Sequence, residues 1–303
     1  MNPDTPYRCG YVALIGRPNA GKSTLLNRLV GEKLAITSRR PHTTRQQVLG
    51  IRTTPACQLI FIDTPGMHDS RQNSMNRYIN RIARGALEGV DAIVVLITPR
   101  GWTDTDKTIL QAALKENVPV IIAINKVDTL EDRDALLPLI AESSAMPGAD
   151  VIQDIIPISA LRGENLDRLE KLLMRQLPEQ PAVFPEDQLT DRTDRFMASE
   201  YIREQVFRQL GQEVPHAAAV SIESYAEEKK LIRIEAIIWV EREGQKAIVI
   251  GKKGQRMKDI GSEARKQLEA FLGKKVFLQL WVKVRENWRD NEMMLRNLGF
   301  GED

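Results

Sequence analysis

Residues 16–23, Gly-Arg-Pro-Asn-Ala-Gly-Lys-Ser, constrain the fold of this chain more than any other stretch. They follow an apolar run, Tyr11 to Ile15, and lead into a helical pattern from Lys22 to Leu29. A glycine-bounded turn between a strand and a helix lets several backbone N–H groups converge on one point. The helix N-terminus adds partial positive charge there, which suits a phosphate. Gly16, Arg17, Pro18, Asn19, Ala20, Gly21, Lys22, Ser23 and the next residue, Thr24, are therefore candidate nucleotide contacts. Lys22 has the reach for β- and γ-phosphates, and the Ser23 hydroxyl is the expected Mg²⁺ ligand.

Such a turn needs a strand before it and a helix after it, and the residues that follow keep the alternation. Leu59 to Ile62, Ala92 to Ile97, Val118 to Ile124 and Ile155 to Ile158 read as strands. Asp104 to Glu116, Arg133 to Ser144 and Asn165 to Gln176 read as helices. Continuous apolar strands separated by helices predict a mainly parallel α/β sheet covered on both faces, with ligands at the carboxyl ends of its strands. The chemistry-bearing residues all fall at those ends. Asp63-Thr64-Pro65-Gly66 offers a carboxylate to a metal and the Gly66 N–H to a γ-phosphate. Thr43 and Thr44 lie in a polar stretch where a hydroxyl would complete a Mg²⁺ shell while the γ-phosphate is present, and Thr44 is the preferred of the two. Asn125-Lys126-Val127-Asp128 names the base: a carboxylate accepts from both N1–H and N2–H₂ of guanine, a donor pair that adenine lacks. Ser159-Ala160 then stands where a backbone N–H would meet guanine O6. On these residues the chain reads as a GTPase, with Lys22, Ser23, Thr44 and Gly66 carrying catalysis.

At 303 residues the chain exceeds one ordinary core. Pro178, Pro181 and Pro185 crowd a polar stretch that reads as a linker, which sets the expected domains at 1–177 and 193–303 with 178–192 between. Beyond it a helix (Thr193 to Leu210) precedes period-2 segments around Ala218–Ile222, Ile232–Val240 and Val276–Val284, each with one apolar face. Gly251-Lys252-Lys253-Gly254 lies between Ala247–Ile250, whose period suggests a strand, and a helix from Gln255. That helix has Met257, Ile260, Ala264, Leu268, Phe271 and Leu272 on one side. Phe277, Trp281, Lys283 and Arg285 oppose the apolar face of the last strand, an arrangement open to stacked RNA or to a covering element. The net charge of +2 conceals an asymmetry: residues 246–289 hold 12 Lys and Arg against 4 Asp and Glu, leaving 31 against 37 elsewhere. A polyanion-binding module joined to an acidic enzyme is the sharper reading, and a solvated basic face the plainer one.

The phosphate loop, Thr43-Thr44-Arg45, Asp63–Gly66 followed by Met67, and Asn125–Asp128 together resemble the Era family of bacterial GTPases over nearly the whole chain. That resemblance implies a P-loop GTPase domain followed by an α+β KH-type (type II) RNA-binding domain, in which Ala247–Ile250 is a short helix. It also implies that Gly251, Lys252, Lys253 and Gly254 form a GxxG loop, with Arg256 and Lys258 adding attraction to the backbone of about four nucleotides. The implied partners are GTP and GDP, single-stranded 16S rRNA near its 3′ end, and the small ribosomal subunit during its maturation. Small GTPases carry a water-orienting glutamine where this chain has Met67. The resemblance suggests K⁺ near Asn19 in compensation; the alternative is that Asn19 only shapes the loop. His68 offers a less natural base.

Two other readings stay open. One is a membrane-associated signalling GTPase whose basic domain binds anionic lipid or a protein at the inner-membrane surface. The other is an RNA-binding factor for which GTP is only a structural ligand. Cys9 and Cys57 give no disulfide framework or metal spacing, and the N-terminus lacks a signal-peptide pattern, so a cytoplasmic protein is expected; a monomer is the separate expectation for its assembly.

Overall fold

Near-continuous burial explains why the apolar runs become central strands. β1 (Arg8–Ile15), β4 (Ala92–Ile97) and β5 (Val120–Asn125) are covered along almost their full length. With β2 (Val48–Thr53), β3 (Cys57–Asp63) and β6 (Ile152–Ile158) they form a six-stranded sheet of order β2-β3-β1-β4-β5-β6. Every pairing is parallel except that of edge strand β2 with β3. The ends of β1, β3, β5 and β6 therefore share one edge, which collects the phosphate loop, Asp63, Asn125 and Ser159. The helices are α1 (Lys22–Val30), α2 (Ser74–Gly85), α3 (Asp104–Leu114), α4 (Leu136–Ser144) and α5 (Leu166–Gln176). Ile93, Val95, Ile122 and Ile124 of the sheet pack with Ile109, Leu110 and Leu139 of α3 and α4 in one core.

The computed structural model describes residues 6–38, 43–65, 74–146, 148, 151–211 and 214–299. Two compact units emerge: one holds residues 1–35, 44–69 and 79–191, the other 36–43, 70–78 and 192–303.

Of residues 178–192, expected as a linker, 178–191 are bound into the first unit. Cys9 N–H donates to Pro178 O, and Gln180 N–H to Tyr7 O (both 3.2 Å). Gln58, fully buried on β3, accepts from the N–H groups of Val183 and Phe184 and donates to Phe184 O (each 2.9 Å). The Ile51 N–H on edge strand β2 donates to Leu189 O at 2.8 Å. Prolines signal the absence of helix or strand, but they carry no information about side-chain clamps from elsewhere in the sequence.

In the second unit, α6 (Asp194–Gln209), β7 (Ala219–Glu227), β8 (Leu231–Val240), α7 (Glu243–Ile250), α8 (Gln255–Leu272), β9 (Lys275–Val284) and α9 (Glu292–Asn297) follow in order. The sheet runs β7-β8-β9, antiparallel then parallel. Alternation puts Ile232, Ile234, Ala236, Ile238 and Val240 on the face that α6 and α8 cover, with Ile260, Ala264 and Leu268 opposite. Met257, expected on that stripe, stands outside the packed cluster. Ala247–Ile250 is helical, as the family resemblance implied and the local period did not. Gln245 Oε1 accepts from the Glu241 and Arg242 N–H groups (2.8 and 3.1 Å), tying the start of α7 as a helix. Helices α2 and α9 escaped the sequence reading altogether.

Candidate functional site

The phosphate loop is held open by two backbone positions that only glycine fills. A Cβ on Gly16 (φ 153°) would stand 2.6 Å from Leu96 O, and one on Gly21 (φ 109°) 2.1 Å from Asn125 Nδ2. Gly21 precedes α1 and supplies no side-chain cap. The first N–H groups of α1 are thus left for an anion. Asn19 adopts a left-handed φ of 62°. Arg17 turns its side chain away from the loop: Nη2 donates to Thr98 Oγ1 (2.6 Å) and Nε lies 3.3 Å from Asp106, a buried residue of α3. Nothing in the sequence pattern distinguished this brace from a phosphate contact.

Lys22 is buried, and its Nζ donates to Gly16 O (2.8 Å) and Arg17 O (3.2 Å). Burial pushes its ammonium down to about 8, against the pull of Asp63. Ser23 Oγ donates to Asp63 Oδ2 at 2.8 Å, Thr44 Oγ1 lies 2.9 Å from Ser23 Oγ, and Thr44 Oγ1 is 3.4 Å from the same carboxylate oxygen. Burial raises Asp63 to about 6, opposed by Lys22, Ser23 and Thr44 in that order. Its other oxygen, Oδ1, is buried with no hydrogen-bond partner. Two hydroxyls and a desolvated carboxylate around one point make a hard-oxygen set suited to Mg²⁺, which takes few protein ligands and keeps waters and phosphate oxygens. Thr44, the preferred of the two threonines, joins this cluster. The Thr64 hydroxyl donates inward to Leu14 O at 2.9 Å, and Pro65 follows it. Gly66, Met67 and His68 lie outside the described residues.

The Asn125–Asp128 turn is stapled to the phosphate loop and to Ser159-Ala160 by its own side chains. Asn125 Nδ2 donates to Ala20 O (2.8 Å), while Oδ1 accepts from the N–H groups of Lys126 (2.8 Å) and Ala160 (2.9 Å). Lys126 (φ 73°) reaches back to Asn19 O at 2.5 Å. Val127 is buried, and Asp128 Oδ1 accepts from Ser159 Oγ at 2.5 Å. The Ala160 N–H, expected to face guanine O6, is directed to Asn125 in this structure. Phosphate loop, base turn and Ser159-Ala160 are thereby fastened into one piece.

In the second unit Gly251 (φ 72°), Lys253 (φ 52°) and Gly254 (φ 76°) turn the chain sharply between α7 and α8. A Cβ on Gly251 would meet Arg256 Cβ at 2.6 Å. Lys252, Lys253, Arg256 and Lys258 are exposed. Gly254 gives α8 no side-chain cap, so its first turn, like that of α1, presents N–H groups outward.

Comparison with known proteins agrees with this geometry. Residues 11–126 match a family model described as 50S ribosome-binding GTPase, and residues 213–289 match a KH domain model. GTPase Era of Coxiella burnetii (strain Dugway 5J108-111) is 52% identical over 297 residues, covering 98% of this chain and 99% of the relative. The chain belongs to the Era family of GTPases. GTPase Era of Pseudomonas fluorescens is 50% identical over the full length of both chains. A crystal structure of a single-residue variant of Aquifex aeolicus Era bound to GDP·AlF4⁻ superposes with a TM-score of 0.94 at 41% identity, covering 97% of this chain and 100% of that one. A second Era structure, in complex with MgGDPNP and nucleotides 1506–1542 of 16S ribosomal RNA, gives the same score and identity and covers 98% of this chain and 100% of that one. As an Era-family enzyme the chain hydrolyses GTP. Among the described residues no helix is long and apolar enough to cross a membrane.

Proposed function

We propose that this chain is a GTP-controlled RNA-binding switch that recognises 16S rRNA near its 3′ end and acts in small-subunit maturation in the cytoplasm. The observation that carries the reading is the full-length superposition on an Era protein holding both MgGDPNP and 16S nucleotides 1506–1542. The uncapped starts of α1 and α8 support it, one for each polyanion.

In the reaction, Lys22 and the loop amides at Gly16–Ser23 hold the phosphates. Asp128 accepts from N1–H and N2–H₂ of guanine, and Ala160 N–H is shared between Asn125 and O6. Ser23 and Thr44, with Asp63 beside them, would hold Mg²⁺, which when bound draws charge from the phosphate oxygens. Water attacks the γ-phosphate, and catalysis is electrostatic and positional, since phosphoryl transfer needs little covalent help. Gly66 N–H steadies the transferred group. Because Met67 cannot orient water, intrinsic hydrolysis is expected to be slow, and a K⁺ held by Asn19 would supply positive charge near the phosphates. Thr44 responds to the γ-phosphate, and the exposed cations of residues 252–258 hold the RNA backbone.

Binding of a 16S 3′-end single strand with a non-hydrolysable GTP analogue or with GDP tests this reading. Tight binding with the analogue, lost in Gly254→Asp while GTP affinity is kept, is expected. Binding indifferent to both nucleotide and mutation would refute it. A factor that tightens RNA binding with GTP must equally tighten GTP with RNA, typically about 5–150-fold.

A further inference from the structure

The sheet of the second unit has two faces, and its helices use only one. On the other face, Phe277 and Trp281 of β9 are 46% and 36% exposed, while Ile237 of β8 between them and β7 is buried. The register sets Arg233 beside Phe277, Ile237 beside Trp281, and Trp239 beside Lys283. None of Arg233, Ile237, Trp239, Phe277 or Trp281 belongs to the packed core on the other face. The Arg233 guanidinium stands 5.3 Å over the Phe277 ring, and Lys283 Nζ lies 5.8 Å from the Trp239 ring centroid. Trp239 Nε1 donates to Ser221 Oγ at 2.9 Å, which fixes its ring. The result is a platform of planar groups and cations, the two elements that bind single-stranded nucleic acid without regard to sequence.

Its charge points the same way. Arg233, Lys275 and Lys283 face two carboxylates, Glu235 on β8 and the exposed Glu223 on β7, which accepts from Ser221 Oγ at 2.8 Å. Arg233 and Lys275 spend part of their charge on exposed pairs with Glu228 and Glu269. Among the described residues Lys283, and Arg285 just beyond the strand, make no ion pair and are the candidates for phosphate.

Position connects this platform to the Gly251–Gly254 loop. α8 lies antiparallel to β9: Glu269 Oε1 accepts from Val276 N–H at 3.1 Å, and a Cβ on Gly261 would stand 3.4 Å from Leu280 Cδ1. Six residues of helix, from Gly261 back to Gln255, cover about 9 Å at ~1.5 Å each. That equals about three strand residues at ~3.3 Å each, so the start of α8 is level with Lys283. The Gly251–Gly254 loop thus stands at the end of β9 that carries Trp281, Lys283 and Arg285, and an RNA strand clamped there would reach the platform by passing from the α8 side of the sheet to the other.

We propose that the face of the β7-β8-β9 sheet opposite its helices is a second single-stranded RNA surface, on which Trp281, Phe277 and Trp239 stack bases beyond the segment held by the Gly251–Gly254 loop. The inference rests on the RNA-binding reading above and extends it to a separate face. A bilayer is the poorer occupant, because the rings lie in a sheet among charged neighbours, Glu235 included, rather than on a protruding apolar edge.

The test measures binding of the full-length chain, loaded with a non-hydrolysable GTP analogue, to unstructured RNAs of about 6 and about 16 nucleotides, the shorter one little more than the loop's clamp of about four. Phe277→Ala/Trp281→Ala should weaken the longer RNA by about tenfold or more. The shorter RNA, the GTP-analogue affinity and the melting temperature should stay unchanged. Lys283→Gln should act in the same direction with a smaller loss, and Trp281→Phe should restore most of the affinity. Equal affinity of the double variant for the longer RNA overturns the proposal, as does a parallel loss for both lengths. So does a loss confined to vesicles of anionic phospholipid, which would assign the face to a membrane. Failure of the wild-type chain to bind either RNA would instead remove the RNA reading on which the proposal stands.

Discussion

Asn125→Ala separates the architecture of the nucleotide site from its choice of base. The side chain is buried and joins two segments distant in sequence, donating to Ala20 O at 2.8 Å and accepting from Ala160 N–H at 2.9 Å. Alanine leaves both backbone groups buried, since Ala20 is 0% and Ala160 2% exposed. Each orphaned group costs about 1–3 kcal/mol, so a loss of about 3–4 kcal/mol is expected after partial relaxation. For a domain of this size about 1 kcal/mol moves the melting temperature by ~2–4 °C, which predicts a drop of roughly 6–15 °C in the nucleotide-free protein. The same loss lowers affinity for every nucleotide, because Ala20 belongs to the phosphate loop. GDP and IDP distinguish the two roles: inosine lacks the N2 amine, and only Asp128 is placed to sense it. Asn125→Ala should weaken both ligands in parallel by calorimetry and keep their ratio, whereas Asp128→Ala should collapse the ratio with little change in melting temperature. An Asn125→Ala protein that melts normally but no longer discriminates GDP from IDP would refute the staple.

Other consequences follow from the same geometry. Lys22, held near 8 by burial, is charged below that pH at a cost to the fold, so the nucleotide-free domain should gain stability as pH rises from about 8 towards 10.5. Phosphate raises that pKa, so GTP affinity moves the opposite way and should fall by up to about tenfold per pH unit above 8; a flat affinity to pH 9.5 would contradict this. Replacing K⁺ with Na⁺ at constant ionic strength should lower the turnover number by about tenfold or more, a fraction of the roughly 10³–10⁵ that an arginine finger supplies; equal rates would remove the K⁺ site at Asn19. Gln58→Leu deletes the clamp on Val183 and Phe184. It should destabilise the first unit by about 1–3 kcal/mol and open residues 178–191 to protease, which limited proteolysis would detect. Lys22→Ala should abolish measurable GTP binding while leaving RNA binding through the Gly251–Gly254 loop in place.

Local rules along the chain are enough to specify the nucleotide domain and the class of its chemistry. A phosphate loop needs a strand, a turn and a helix in that order, and strands buried on both faces announce themselves as unbroken apolar runs. The same holds for β7, β8 and β9, whose alternation at period 2 marks their one packed face. Local period failed at Ala247–Ile250, where four apolar residues fit a strand as well as a helix; capping by Gln245 and the turn at Gly251 decide for helix. It failed also for residues 178–191, whose prolines look like a free tether. What holds them is Gln58, a residue about 120 positions away. Only tertiary packing brings Asn125 to the two loops it fastens, Arg17 to Asp106 and Thr98, and Thr44 to Ser23 and Asp63. Each of these depends on where a side chain points once distant segments are brought within 3 Å or so, and no spacing rule along the chain encodes that direction.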